Sequence, residues 1–253
     1  MLLSYGHTST KLRHSEVPHP DVLSAILYLA PHTTADGRRT VCGAEVTDGC
    51  FVGCLYGAGR GTFDNVSAAR IRRTLEFFDD PPAFVESVAR DIARVESRAA
   101  KLGLLPAVRL NGTSDLPWYL QRHGGESLMD RFPSVQFWDY TKRARTADAY
   151  ASGDLPPNYH VTWSRSELTR DADISRMVGS GCNTAVVFDT KRGQPLPTAY
   201  RSTDALLHPI LDGDTHDYRW RDMRGGHIVG LRAKGPAIGD RTGFVVDASR
   251  HVV

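Results

Sequence analysis

The sequence predicts an α/β fold: one domain over residues 1–253, built as a partial (β/α) barrel of about six mostly parallel strands with outer helices. Three observations predict it. Short apolar segments recur along the chain, and each ends in a polar cluster. Amphipathic helical stripes lie between several of them, which is the alternation of a parallel sheet. No charge run, Ser/Gly tract or internal repeat divides the chain, and 253 residues of ordinary globular composition suit a single barrel-sized core.

Residues 1–20 are polar and irregular and read as a lead-in arm, with His7, His14 and His19 solvated. Val22 to Ala30 is an apolar run stopped by Pro31, of a length that suits a buried strand. The cysteine loop, residues 41–61, follows. Asp64-Asn65 caps a helix whose apolar face is Ala68, Ile71, Leu75 and Phe78, leaving Arg70, Arg72 and Arg73 on a solvated face. Asp80-Pro81-Pro82 ends that helix and starts the next. The stripe Phe84, Val88, Ile92, Val95, Ala99 and Leu102 continues to a stop at Gly103.

Strand-like segments then recur. Ala107–Leu110 leads into Asn111-Gly112-Thr113-Ser114-Asp115, and Val135–Trp138 into Asp139-Tyr140-Thr141-Lys142. Tyr159–Trp163 leads into Ser164-Arg165-Ser166-Glu167, Thr184–Phe188 into Asp189-Thr190, and His227–Leu231 into Arg232-Ala233-Lys234. Leu128–Phe132 and Glu167–Val178 are helix candidates between them. Parallel strands share one carboxyl-terminal rim, where active sites of this architecture sit. Asp115, Asp139, Lys142, Arg165 and Asp189 are therefore expected to converge there beside the cysteine loop. The bland account of Asp139 and Asp189 is that they cap helices or tie loops.

Cys42, Cys50 and Cys54 give a C-x7-C-x3-C pattern followed by Gly57-Ala58-Gly59-Arg60-Gly61. Clustered thiolates are soft ligands suited to zinc, copper(I) or iron–sulfur centres. A closed zinc site takes four ligands, and a complete cluster usually has four cysteines. Three leave one position open for chemistry. The competing readings are a structural zinc with a histidine such as His32 as fourth ligand, a disulfide, or three buried small hydrophobes. Cys182, alone before an apolar strand, reads as a buried small hydrophobe.

The net charge of +2 demands neither nucleic acid nor an anionic membrane. No apolar run approaches the ~20 residues that span a bilayer. The N-terminus lacks the apolar core of a secretion signal, so a reducing, cytoplasmic setting is the expectation, which favours metal over disulfide. The glycine-rich tail resembles a phosphate cradle but is not a full dinucleotide or Walker motif. No G-x-S-x-G elbow supports a serine hydrolase. Asp212-Gly213-Asp214 with His216 and Asp217 reads as an acidic turn, with a divalent cation site as the alternative.

The stretches LSAILYLAP, CLYGAGRG, ARIRRTLEFF, RLNGTSDLPW, QFWDYTK, YHVTWSRSE, AVVFDTKRGQPLP, DGD and VGLRAKG run through most of the chain in order. They resemble the bacteriophage family called "gene product eighty-eight", a family with no settled biochemical role. A more distant resemblance is to the radical S-adenosylmethionine enzymes. That resemblance implies a partial barrel with a four-iron four-sulfur cluster on a three-cysteine loop after the first strand, here Cys42, Cys50 and Cys54. It implies S-adenosylmethionine on the open iron. Asn111, Thr113, Ser114 and Asp115 would stand where the superfamily has its Gly-Gly-Glu segment, and Ser164 and Arg165 would contact ribose or carboxylate. The C-x7-C-x3-C spacing is wider than that family's usual C-x3-C-x2-C, and Gly53 replaces the aromatic before the last cysteine.

Two function classes follow. The first is an iron–sulfur enzyme of radical type acting on a nucleotide or other small molecule, supplied by an electron donor. Asp115 and Arg165 hold the cofactor, and Asp115, Asp139 and Lys142 position substrate or move protons. The second is a zinc-stabilised nucleic-acid-binding or replication protein using Arg60, Arg70, Arg72, Arg73, Lys142 and Arg145 on phosphates. A metal-independent scaffold protein of the virus is a third.

Overall fold

A computed structural model describes residues 1–43, 46–57 and 59–252. Twelve strands are present among them: β1 (Leu3–Tyr5), β2 (Val22–Leu27), β3 (Leu105–Arg109), β4 (Arg122–His123), β5 (Glu126–Ser127), β6 (Gln136–Thr141), β7 (Tyr159–Ser164), β8 (Thr184–Phe188), β9 (Ala199–Arg201), β10 (Leu207–Asp212), β11 (Ile228–Arg232) and β12 (Val245–Val246). The helices are α1 (Thr10–Glu16), α2 (Asp48–Val52), α3 (Asp64–Asp79), α4 (Pro81–Leu102), α5 (Leu128–Arg131), α6 (Ala144–Ala151) and α7 (Asp171–Gly179). Ten strands form one sheet in the order β1-β2-β3-β6-β7-β8-β11-β10-β9, with β12 beside β8. Every pairing from β2 to β10 along this path is parallel, and the two edges, β1 and β9, pair antiparallel.

The α/β class and the mostly parallel sheet are as the sequence predicts. The partial barrel of about six strands is corrected: the sheet is open. Each outermost parallel strand is capped by an antiparallel neighbour, so no parallel edge is left to meet another. The strands still step along one another. Ala107 of β3 pairs with Gln136 at the start of β6, and Trp163 near the end of β7 pairs with Thr184 at the start of β8. Beyond the end of β7, β12 takes its place against Val187 and Phe188.

Strand β2 is buried along its whole length because both of its faces are covered. Leu23, Ala25 and Leu27 face the core built with α4, Val108, Phe137 and Val161. Val22 and Ile26 face the other side with Leu12, Trp138 and Tyr218. The expected stripe of α4 is buried at Phe84, Val88, Ile92, Val95 and Ala99, whereas Leu102, at the end of the helix, is exposed. Asp80 caps that helix by accepting from Ala83 N at 3.0 Å, and Gly103 ends it at φ +66°, a conformation that costs glycine little.

Residues 1–20 do not form an irregular arm. Leu3 and Leu12 are buried, and β1 and α1 belong to the sheet and its cover. Asp91, 2% exposed on α4, accepts from the Leu2 and Leu3 amides and from Arg94 at 2.7 Å. A carboxylate that terminates two backbone donors is costly to lose. Asp91→Ala is expected to lower stability by about 1–3 kcal/mol, read from urea midpoints. A midpoint equal to wild type would show that β1 is held by packing alone.

Helix α3 is rolled relative to its apolar periodicity. Its buried residues are Arg70, Thr74 and Phe77, while Ala68 is exposed and Ile71, Leu75 and Phe78 are half-buried. Thr74 explains part of the roll: its Oγ1 accepts from Ala30 N at 2.8 Å and fixes the helix on the chain leaving β2.

Candidate functional site

The carboxyl-terminal ends of β2, β3, β6 and β7 share one side of the sheet, and a cavity of about 140 Å3 opens there. Cys42, Cys50 and Cys54 line it together with Asn111, Thr113, Ser114, Asp115, Lys142 and Ser164. Arg109 and Tyr140, which share the opposite sheet face from the α4 core, also line it. The sequence expectation that the cysteine loop joins the rim is met.

The loop after β3 is organised by one side chain. Asn111 Oδ1 accepts from Ser114 Oγ at 2.9 Å, Leu116 N at 2.9 Å and Trp118 Nε1 at 3.1 Å. Asn111 Nδ2 donates to Leu116 O at 2.9 Å. Thr113 Oγ1 donates to Leu29 O at 2.6 Å. Gly112 lets this loop lie on the end of β2: a Cβ there would stand 2.6 Å from Leu27 O and 2.7 Å from the Tyr28 ring. Asn111, Thr113 and Ser114 thus spend their side chains on shaping the wall they form.

Asp115 and Lys142 are the charged groups of the cavity wall on this side. Asp115 accepts from Thr141 Oγ1 at 2.8 Å and Lys142 N at 2.9 Å, yet burial outweighs those donors and raises its carboxyl above the ordinary range. Lys142 Nζ donates to Ser164 Oγ and Arg165 O, both at 3.0 Å, above the Phe244 ring at 5.1 Å.

Three residues expected to converge on the site do not line the cavity. Asp139 sits inside β6, which runs on to Thr141, and so shares a face with Phe137 toward the α4 core. It is 1% exposed and does not line the cavity; it accepts from Asn111 N at 2.7 Å and Tyr159 Oη at 3.1 Å. Arg165 turns away to donate to Gly243 O at 2.8 Å and Phe244 O at 3.1 Å, where β12 replaces β7. Asp189 is exposed and accepts from Ala248 N at 2.9 Å. The acidic turn holds no open cation site, since Arg232 and Lys234 bond Asp212 and Asp214 at 2.6–3.0 Å.

The position of Asp139 has a measurable consequence. Burial pushes its carboxyl up to about 7, against the pull of the Arg109 charge. Between about pH 4 and that value the folded chain keeps a proton the unfolded chain has released, so this group's contribution to stability falls as pH rises. Relative to wild type, Asp139→Asn is therefore expected to gain up to about 1.4 kcal/mol per pH unit between about pH 4.5 and about pH 6.5, measured as the difference between urea-unfolding profiles. A difference independent of pH would refute the assignment.

Burial drives all three cysteine thiols up, Cys42 to about 11, so they are protonated until something displaces the proton. Backbone amides already point at two of the sulfurs: His32 N at 3.1 Å from Cys42 Sγ and Tyr56 N at 3.5 Å from Cys54 Sγ. Cys50 rides on α2, which Thr47 caps by accepting from Cys50 N. Glu167 accepts from Thr47 Oγ1 and Gly49 N, both at 2.7 Å, and so ties α2 to the chain leaving β7. Glu167 was not singled out from sequence; its signal is its place at the end of the Ser164-Arg165-Ser166-Glu167 cluster.

Among the described residues, no group of three or more His, Cys, Asp or Glu side chains converges to hold a metal ion. A zinc ion would need four donors at about 2.0–2.3 Å from one point. His32, the expected fourth ligand, packs its ring 5.0 Å from Phe51 and bonds Thr33 Oγ1 through Nδ1 at 3.1 Å. The basic residues expected to form a phosphate-binding strip are dispersed. Arg70 is buried, Lys142 lies in the cavity wall, Arg72 and Arg145 are exposed, and Arg73 is half-buried. The Arg60 side chain, and Ala58 of the glycine-rich tail, lie outside the described residues. Cys182 is buried in the core between α7 and β8, as expected.

Fold and cavity together define an α/β protein with a thiol-lined site at the carboxyl edge of a mostly parallel sheet. The family model described as Gene product 88 matches residues 1–248, and the chain belongs to that bacteriophage family. No curated protein and no solved structure matches it. Among the described residues no helix is long and apolar enough to cross a membrane.

Proposed function

We propose that the chain is an iron–sulfur enzyme of radical type, with Cys42, Cys50 and Cys54 holding a four-iron four-sulfur cluster and S-adenosylmethionine as co-reactant. One observation carries the reading: three thiols from a single loop border one cavity, beside an acid and an amine, at the edge where parallel α/β proteins do chemistry. The donor set fits such a group. It is all sulfur, it is desolvated, and backbone amides are aimed at two of its members. In a cubane cluster each thiolate binds a different iron, so the sulfurs surround the group without converging on one point. A single zinc ion requires convergence, which is why iron–sulfur is preferred over the zinc alternative.

When bound, the group supplies one-electron chemistry; an electron donor must reduce it. The chain's own residues do the rest. Asn111 and Thr113 fix the wall and Gly112 lets it approach β2. Asp115, its carboxyl raised above the ordinary range by burial, is a group that can hold or release a proton, and Lys142 presents its amine held by Ser164 and the Arg165 carbonyl. That pair suits a small anionic substrate such as a nucleotide. The test is iron and acid-labile sulfide analysis of protein purified and reconstituted without oxygen. Brown protein with iron and sulfide in equal amounts is expected; colourless protein holding one tight zinc would sink the proposal.

A further inference from the structure

Arg70 is buried, 7% exposed, on the first turns of α3. Its Nε and Nη1 touch neither solvent nor a hydrogen-bond partner. Among the described residues no carboxylate pairs with it. The guanidinium is clamped between two tyrosine rings, 4.7 Å from the centroid of Tyr28 and 5.3 Å from that of Tyr56. Both hydroxyls are engaged elsewhere, Tyr28 with Ser9 at 3.0 Å and Tyr56 with Ser67 at 2.5 Å. Two π faces offset part of the desolvation of a cation, but they carry no net charge. A buried arginine left this way lacks an anion.

The missing anion has a nearby source. Tyr56 stacks on Arg70 through its ring and donates its amide to Cys54 Sγ. The loop that brings the ring also brings the sulfur. The three cysteines, as thiolates around a four-iron four-sulfur core, would form a net anion, and one-electron reduction would make it more negative.

We propose that Arg70 is the counter-charge of the anionic centre on Cys42, Cys50 and Cys54, a positioning residue that sets the reduction potential of that centre from the Cys54 side. The inference rests on the iron–sulfur reading above and adds to it a specific electrostatic control. A fixed cation favours the more negative, reduced form. Removing it makes the centre harder to reduce, because net charge near a cluster is one of the levers on its potential.

The experiment is a dithionite titration of reconstituted wild-type, Arg70→Met and Arg70→Lys proteins at controlled potential, followed by electron paramagnetic resonance. At the wild-type midpoint, Arg70→Met is expected to show at least a tenfold lower reduced-to-oxidised ratio, a midpoint lower by about 59 mV for one electron. Arg70→Lys, which keeps the charge, returns most of that shift. In the iron-free proteins the sign of the stability effect reverses: Arg70→Met melts at or above wild type, because an unpaired buried charge has been removed. A wild-type midpoint in Arg70→Met overturns the inference. So does an iron-free Arg70→Met that melts below wild type or does not fold, since Arg70 is then a structural pillar. A wild-type chain that takes up no iron and sulfide defeats the cluster reading itself, and is told apart by the analysis that precedes the titration.

Discussion

Alanine at any one of Cys42, Cys50 or Cys54 is expected to abolish retention of iron and sulfide after anaerobic reconstitution, whereas Cys182→Ala retains both at the wild-type level. The contrast follows from placement. The three loop cysteines are half-buried and border one cavity; Cys182 is buried in a core cluster with Ile174, Met177 and Val186 and does not line that cavity. If the three thiolates hold separate irons, as proposed, losing one would leave two anchors, short of the four protein ligands of a complete cluster site. Folding is not at stake in these variants. The principal core lies among α4, β2, β3, β6 and β7, and none of the three sulfurs belongs to it. Cooperative unfolding with an unchanged midpoint should accompany the loss of metal. A single variant that keeps its full complement of iron would remove that cysteine from the site and the three-cysteine arrangement with it.

The cysteine loop and its neighbours were legible because the cues were local. A continuous apolar run such as Val22–Leu27 names a two-sided strand, and the polar cluster that follows it names the rim. Lys142 follows β6 directly and Asp115 closes the polar cluster after β3, and both reach the cavity. Asp139 was misplaced by three residues of strand. Val135–Trp138 reads as the whole segment, but β6 continues to Thr141, and the pleat then turns Asp139 to the helix side. Arg165 depended on β12, two residues whose pairing with β8 no periodicity announces. Closure into a barrel was also beyond the residues themselves. It depends on what pairs at the edges, and β10, interrupted by Pro209, is poorly marked as a strand. Arg70 is the sharpest case. Apolar spacing assigns it to solvent, while two tyrosines from distant segments assemble a slot for its side chain. Charge burial of that kind is a tertiary event, and its recurrence here beside a thiol-lined cavity is the behaviour expected where function overrides local preference.

The largest stability effect belongs to the ion pair under that cavity. Arg109 Nη1 donates to Asp217 at 2.8 Å, with the two side chains only 5% and 6% exposed. Arg109 also donates through Nε to Asn111 O at 3.2 Å and lies over the Tyr140 ring at 4.9 Å. Asp217 is fixed in turn, its amide donating to Ser15 Oγ at 2.7 Å. Asp217→Asn preserves shape and strips the charge, leaving a buried guanidinium whose nearest other carboxylate, Asp139, stands 4.0 Å from its Nε. Breaking one side of such a pair is expected to cost about 3–5 kcal/mol, measured by urea denaturation. Arg109→Met is expected to cost a similar amount, and the double variant less than the sum, because each single change leaves the other charge stranded. Arg109 also braces the Asn111 loop, so the loss should reach the cavity: Asp217→Asn, at temperatures where it is folded, should take up less iron than wild type even though no cysteine is touched. A penalty within about 1 kcal/mol of wild type would mean that the pair is hydrated and worth no more than a surface one.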